Sequence, residues 1–262
     1  MRARSVVGTL LAVAALVATA LPAAAAQEPA DEVTPMIVGG SPASETYGFM
    51  ASMQSRNGGA HRCGASLIRP QWLLTAAHCV ANVNPADFQF RIGSTNRTSG
   101  GEVALPDRFV IHPEFSQIFF IRNDIALVHL SKPAAAAPIS IAATSPPVGT
   151  ATRLLGWGLM CPTRGCGNAP TTLQQLDTSV IADSRCFSID GPKELCTNNP
   201  GGNKGACFGD SGGPQIVKAA GRWQLAGSTS RLGGTVATCA VDPSIYVDDN
   251  AYLSWINQHV GT

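Results

Sequence analysis

The chain has 262 residues, enough for one large domain or two small ones. Only 13% of residues are charged, glycine is abundant at 27, and the net charge is +1, a balance that suits a turn-rich β protein. The sequence has no basic run and no repeat of 20–50 residues, which argues against a nucleic-acid partner and against a solenoid.

At the N-terminus, Arg2 and Arg4 precede the apolar run SVVGTLLAVAALVATAL, then Pro22 and the small residues Ala23 to Ala26. This pattern predicts a secretory signal over 1–26. Its apolar core of about 15 residues is short of the roughly 20 that a spanning helix needs, which disfavours a membrane anchor. No other segment reads as a membrane span, so the expected location is extracellular. The alanine-rich ending suggests a bacterial source. The acidic stretch QEPADEVT follows, and PMIVGG (35–40) opens the first foldable segment. Residues 1–36 carry two basic and three acidic side chains, so the remainder rises from +1 to +2. All eight cysteines lie in that remainder, at 63, 79, 161, 166, 186, 196, 207 and 239. An even count behind a signal implies disulfides. No CxxC or HxxxH pattern favours zinc, and no metal is expected.

Beyond residue 60 come short apolar or alternating runs, most of them punctuated by Gly, Pro, Asn or Asp: 65–75, 89–93, 108–112, 125–130, 151–158, 214–218, 223–230 and 244–249. They predict many short strands in a sandwich or barrel. A division is expected near 135–150, in the stretch PAAAAPISIAATSPPVGT, which carries Pro, Ala and Thr with few charges. The last segment, AYLSWINQHV, spaces Tyr252, Leu253, Trp255, Ile256 and Val260 as a helix, with Asn250 as a candidate N-cap.

The most specific motif is GDSGGP within CFGDSGGP (207–214). Ser211 sits among glycines that permit a sharp turn, and the N–H groups of Gly209 and Ser211 are positioned in sequence to converge as an oxyanion hole. A serine hydroxyl needs a base. His78 in LTAAHC (74–79) is the candidate, and Asp124 in NDIALVHL (123–130) is the carboxylate to orient it.

In this order, IVGG, CGASLI, LTAAHC, NDIALVHL, GWG and GDSGGP resemble the trypsin/chymotrypsin family of serine endopeptidases over 37–262. The resemblance implies an all-β fold. It consists of two packed six-stranded antiparallel β-barrels (37–140 and 141–262) with a C-terminal α-helix and a site between the barrels. It implies Ser211 as nucleophile, His78 as general base and Asp124 as its orienting partner, in the family's own His, Asp, Ser order. It implies that 27–36 is an activation peptide cut after Met36, freeing the Ile37 amine to pair with Asp210. Many relatives carry Lys or Arg at the cut, so Met36 points to an unidentified activating protease that is not trypsin-like. The implied disulfides are Cys63–Cys79, Cys186–Cys196 and Cys207–Cys239, leaving Cys161 and Cys166 to close a local loop. A further family disulfide is missing at both ends, Thr152 and Val217.

The specificity pocket departs most from the family pattern. Its implied floor, six residues before the nucleophile, is Gly205; without an Asp there, Lys/Arg specificity is not expected. Phe208, Ser230, Leu232 and Ser244 are the other implied pocket residues, with Ser230 expected to bond Asp124. Arg231 and Leu232 stand where Trp and Gly are usual, and Ser244 replaces a Gly. These side chains should fill the pocket and favour small or medium apolar residues, unless Gly233 and Gly234 let the loop move aside. The expected protein is a secreted monomer, made as a zymogen, that needs no cofactor and acts on proteins or peptides. The alternatives are a non-catalytic binding homologue of the same fold and an esterase.

Overall fold

Fourteen strands and two α-helices make up the described residues, Met1 and 37–261, of the computed structural model. The expected signal and activation segments lie outside the described residues, Met1 apart. The first sheet contains β2 (Met50–Ser55), β3 (His61–Arg69), β4 (Trp72–Thr75), β5 (Phe88–Ile92), β6 (Glu102–Ala104), β7 (Pro106–Ile111) and β8 (Ala126–Leu130). Its order is β6-β5-β2-β3-β4-β8-β7, with every pairing antiparallel. β6 and β7 are halves of one stretch interrupted at Leu105. Because β6 pairs with β5 and β7 with β8, six chain segments close a ring. β5 shows how the sequence builds it: Phe88, Phe90 and Ile92 are buried, while Gln89 and Arg91 are partly exposed, the period of two of a half-buried strand.

The second sheet holds β1 (Ser41–Pro42), β9 (Ala151–Gly156), β10 (Gln174–Ile181), β11 (Glu194–Thr197), β12 (Pro214–Ala219), β13 (Arg222–Leu232) and β14 (Ser244–Asp248). β9 pairs with both β10 and β12, so β9-β10-β11-β14-β13-β12 also closes. The seventh strand, β1, is a two-residue addition at the edge of β10. The fold is the expected all-β pair of barrel-like sheets. Both ends of the described segment 37–261 cross the division drawn at residue 140. β1 joins the second sheet, and the helix α2 (Leu253–Val260) puts Ile256 into a core shared with Leu67, Leu73 and Trp72.

Three local details correct or explain the pattern. α2 begins at Leu253, after a 3-10 turn over Asp249–Tyr252 whose cap is the Asp248 carboxylate, accepting the Asn250 N–H. Asn250 is therefore not the cap; its side chain donates to the Ala142 carbonyl at 2.8 Å. Thr152 and Val217, the two ends of the missing disulfide, face each other across β9 and β12. A buried chain of hydrogen bonds, Thr197 to Gln215 at 3.0 Å and Gln215 to Thr152 at 2.9 Å, ties the sheet together there. The IVGG stretch is fitted closely. Ile37 is buried with Leu154, Leu176, Leu195, Ala206 and Tyr246, worth about 2 kcal/mol. Gly39 has φ +74°, and a Cβ on Gly40 would lie 2.7 Å from the Gln175 carbonyl.

Candidate active site

His78 lies on a single helical turn, α1 (Ala77–Val80), pinned by Cys63–Cys79. Its backbone N–H donates to Asp124 Oδ1 at 2.9 Å and its Nδ1–H to Oδ2 at 2.7 Å. Ser230 Oγ donates to the same Oδ2 at 2.6 Å. Asp124 is fully buried at the head of β8, following Asn123 at φ +47°. Asn123 is anchored by Lys193 Nζ and the Tyr252 hydroxyl, each donating to its Oδ1 at 2.9 Å. With Nδ1–H committed to the carboxylate, the Nε2 lone pair of His78 is left toward the cleft. His78 and Ser211 line the same two cavities. Among the described residues no hydrogen bond joins Ser211 to His78 Nε2, whose nearest recorded partner is Cys79 Sγ at 3.8 Å. Cys63, Cys79 and His78 cluster closely enough for a metal, but both sulfurs are in the disulfide and offer no thiolate.

The GDSGGP turn is shaped by close approach. A Cβ on Gly212, at φ +72°, would lie 2.1 Å from Thr75 Oγ1, and one on Gly64 would lie 2.6 Å from Gly213 Cα. The Phe208 carbonyl accepts the Leu159 N–H at 2.8 Å. Across that trans peptide the Gly209 N–H points the opposite way. The Gly209 carbonyl accepts the Nε2–H of His61 at 2.9 Å, and His61 Nδ1 accepts from Ser52 Oγ at 2.8 Å. Burial lowers the His61 pKa to about 4, partly opposed by its bond to Gly209, so the ring is neutral and its tautomer is set by these two neighbours. Nothing in residues 50–63 singles out His61 or Ser52 strongly by sequence. The only signal is a histidine two positions before a cysteine in an apolar strand.

Asp210 is buried beneath this turn. Its Oδ1 accepts the Gly158 N–H and its Oδ2 the Cys207 N–H, both at 2.8 Å. Burial raises its pKa to about 6 against the pull of those two amides. The GWG motif makes room for it, since a Cβ on Gly156 would lie 2.0 Å from Asp210 Oδ1. The residue after Ile37, Val38, accepts the Gly205 N–H at 3.0 Å through its backbone carbonyl.

A cavity of about 280 Å³ opens beside Ser211, lined in part by Phe208, Ser230, Leu232 and Ser244. Gly205 does not line it. Its hydrogens face Ala240 and Ser244, with a Cβ position 3.5 Å from Ala240 Cα and 3.8 Å from Ser244 Oγ. No carboxylate lines the cavity. Arg231, which also borders it, makes a two-pronged pair with Glu194 at 2.7 Å per prong and is only 12% exposed. That pair explains how a guanidinium is tolerated at a position where an apolar ring is usual. The cysteines are joined as Cys63–Cys79, Cys161–Cys166, Cys186–Cys196 and Cys207–Cys239.

A sequence model described as Trypsin matches residues 37–256. The chain belongs to the trypsin family. It is 31% identical to "Fibrinolytic enzyme, isozyme C" of Lumbricus rubellus over 85% of this chain and 99% of that protein. It is 32% identical to the "Vitellin-degrading protease" of Bombyx mori over 77% of each chain, and 32% identical to "Trypsin delta" of Drosophila erecta over 69% of this chain and 73% of that one. These relatives are animal proteins and lend no support to a bacterial source. This trypsin-family protein is a serine endopeptidase acting on proteins or peptides. No helix among the described residues is long and apolar enough to cross a membrane.

Proposed function

We propose that this endopeptidase is a secreted monomer, made as a zymogen, with Ser211 as nucleophile, His78 as base and Asp124 as the group that orients it. The observation that carries this reading is the double grip of Asp124 on His78, through ring and backbone, which leaves Nε2 free to accept a proton. As Ser211 Oγ bonds the carbonyl carbon of the substrate, His78 Nε2 takes the hydroxyl proton. The N–H groups of Gly209 and Ser211 hold the oxygen that becomes negative. His78 then gives the proton to the leaving nitrogen as the C–N bond breaks. Water, deprotonated by His78, releases the acyl group in a second round.

Cleavage after Met36 by another protease would free the Ile37 amine for Asp210. Two neutral amides leave that buried carboxylate without a countercharge, which supports a cation as its missing partner. The first cavity is read as the site of the residue before the scissile bond. It favours Ala, Val or Leu because Leu232 and Ser244 occupy its walls and no acid lines it. The test is a fluorophosphonate probe with a diisopropyl or longer alkyl chain. After cleavage at Met36 it should modify one residue, mapped by mass spectrometry to Ser211, and His78→Ala should abolish labelling. Labelling elsewhere, or none in cut material, would defeat the assignment.

A further inference from the structure

A second cavity, of about 400 Å³, meets the first at His78, Ser211, Phe208 and Arg164 and continues over the Cys63–Cys79 disulfide to Arg62 and Gly209. If Ser211 is the nucleophile, as proposed above, this second cavity receives the leaving group. The acyl side of a substrate lies along the end of β13 with its side chain in the first cavity. The chain must then run past His78, which protonates the departing nitrogen, into the second.

The walls of this second cavity carry one sign of charge. Arg164 stands at the apex of the CPTRGC loop, closed by Cys161–Cys166. The loop is fastened to the pocket wall, because the Pro162 carbonyl accepts the Cys239 N–H at 2.9 Å and Cys239 is bonded to Cys207. The Arg164 guanidinium rests on the Phe208 ring, 3.8 Å from its centroid. On the opposite rim, Arg62 Nε donates to the Cys79 carbonyl at 3.0 Å, and its guanidinium lies 5.6 Å from the Phe88 ring. Both arginines are exposed, and among the described residues neither makes an ion pair. No Asp or Glu lines either cavity. Arg231 is different, since Glu194 already neutralises it.

We propose that Arg62 and Arg164 form a cationic clamp on the leaving-group side, and that the enzyme selects substrates carrying Asp or Glu within the first three residues after the scissile bond. Arg62 is held by a backbone carbonyl and a ring face and Arg164 by a ring face, neither by a carboxylate, so their charge and N–H donors stay available to a substrate acid. Low-dielectric walls on both sides of the cleft focus that field. The small disulfide loop then has a purpose: it fixes the position of a positive charge that a flexible loop would leave to wander.

The test uses internally quenched peptides with one acyl side ending in Val and with Asp, Ala or Lys at the second position after the scissile bond. An anilide of the same acyl side lacks any leaving peptide. With the cut enzyme, kcat/KM for the Asp peptide should exceed that for the Lys peptide about tenfold at low salt, as two partly exposed charge contacts allow. Most of that ratio should vanish in 1 M NaCl. In Arg62→Gln/Arg164→Gln the ratio should fall toward one. It is read within one preparation, so a general loss of activity does not disturb it. The single variant Arg62→Gln and the salt series on the native enzyme keep the test open if the double variant folds poorly. Equal rates, a Lys preference, or a ratio unchanged by the substitutions would overturn the clamp. If neither the peptides nor the anilide were cleaved, the Ser211 reading would fail and take the clamp with it.

Discussion

Two carboxylates are buried within this site, and they are satisfied in different ways. Asp124 accepts three hydrogen bonds: two come from His78 in the first barrel and one from Ser230 in the second. Asp210 accepts two, both from backbone amides of its own barrel. Amides carry partial charge but no net charge, so burial still raises the Asp210 pKa to about 6. A carboxylate that grips a titratable ring on two sides is built to hold that ring in one orientation. A carboxylate that has only amides keeps an uncompensated charge when ionised, which is the basis for proposing a cation as its partner. On the proposed reading, the difference separates a group used in each turnover from one used once, at activation.

The sharpest way to break this contrast is to remove what each carboxylate serves. Ser211→Ala should lower kcat by roughly 10⁴–10⁶ with the fold retained, judged by circular dichroism and an active-site assay. Asp124→Asn should cost about 10⁴, because an amide facing Nδ1 favours the wrong tautomer of His78. A variant at either position that kept a tenth of native kcat would remove that residue from the mechanism.

Activation is the next largest effect. Material starting at Gln27 should be inactive, and active enzyme should begin IVGG on N-terminal sequencing. The expected gain on cutting is about 10²–10³, the worth of one correctly placed oxyanion donor. Asp210→Asn should remove that gain without affecting the His78–Asp124 bonds. Full activity in the uncut chain would show that Asp210 needs no new cation.

Within the pocket, four-residue amides ending in Ala, Val or Leu should exceed the Arg substrate by about 10² or more in kcat/KM. A buried guanidinium or ammonium without a countercharge costs several kcal/mol. Phe should fall between, because Leu232 and Ser244 take up depth. A leading Arg substrate would contradict the pocket assignment; a leading Phe substrate would contradict only the filled walls.

Much of the fold is legible in local pattern. The alternation in β5 and the turn residues between short apolar runs lead to closed antiparallel sheets. Local pattern does not reveal that 102–111 is interrupted at Leu105 to serve two neighbours, or that β1 joins the far sheet, because both depend on pairing between distant strands. The candidate site divides in the same way. The motif residues His78, Asp124, Asp210 and Ser211 are conspicuous because each sits in a stretch with restricted chemistry. Arg231 is conspicuous only as an oddity, since its partner Glu194 is 37 residues away. His61 is barely marked, by its place two positions before a cysteine, because its role depends on contacts with Ser52 and Gly209 that no spacing encodes.

His61 and Asp210 yield the smallest effect, and one whose sign can be worked out. Between pH 4 and 6.5 the His61 ring is neutral when folded and charged when unfolded, so the unfolded chain binds the extra proton and stability rises with pH. Between about pH 4 and 6, Asp210 in the uncut chain is protonated when folded and ionised when unfolded. The folded chain then binds the extra proton, and stability falls with pH. Each shift is worth roughly 3 kcal/mol across its window, and the two oppose each other. These two groups should therefore leave the uncut protein with little net slope between pH 4 and 6. Asp248 and Asp249, also raised by burial, add a falling component that both variants below retain. Relative to the native chain, His61→Gln should make stability fall more steeply with pH, and Asp210→Asn should make it rise. Cutting after Met36 should act like Asp210→Asn in sign, because a cation beside Asp210 lowers its pKa. Urea unfolding at pH 4, 5 and 6 on the four proteins checks this. If cutting left the slope of the native chain unchanged, the Ile37 amine would not be the partner of Asp210.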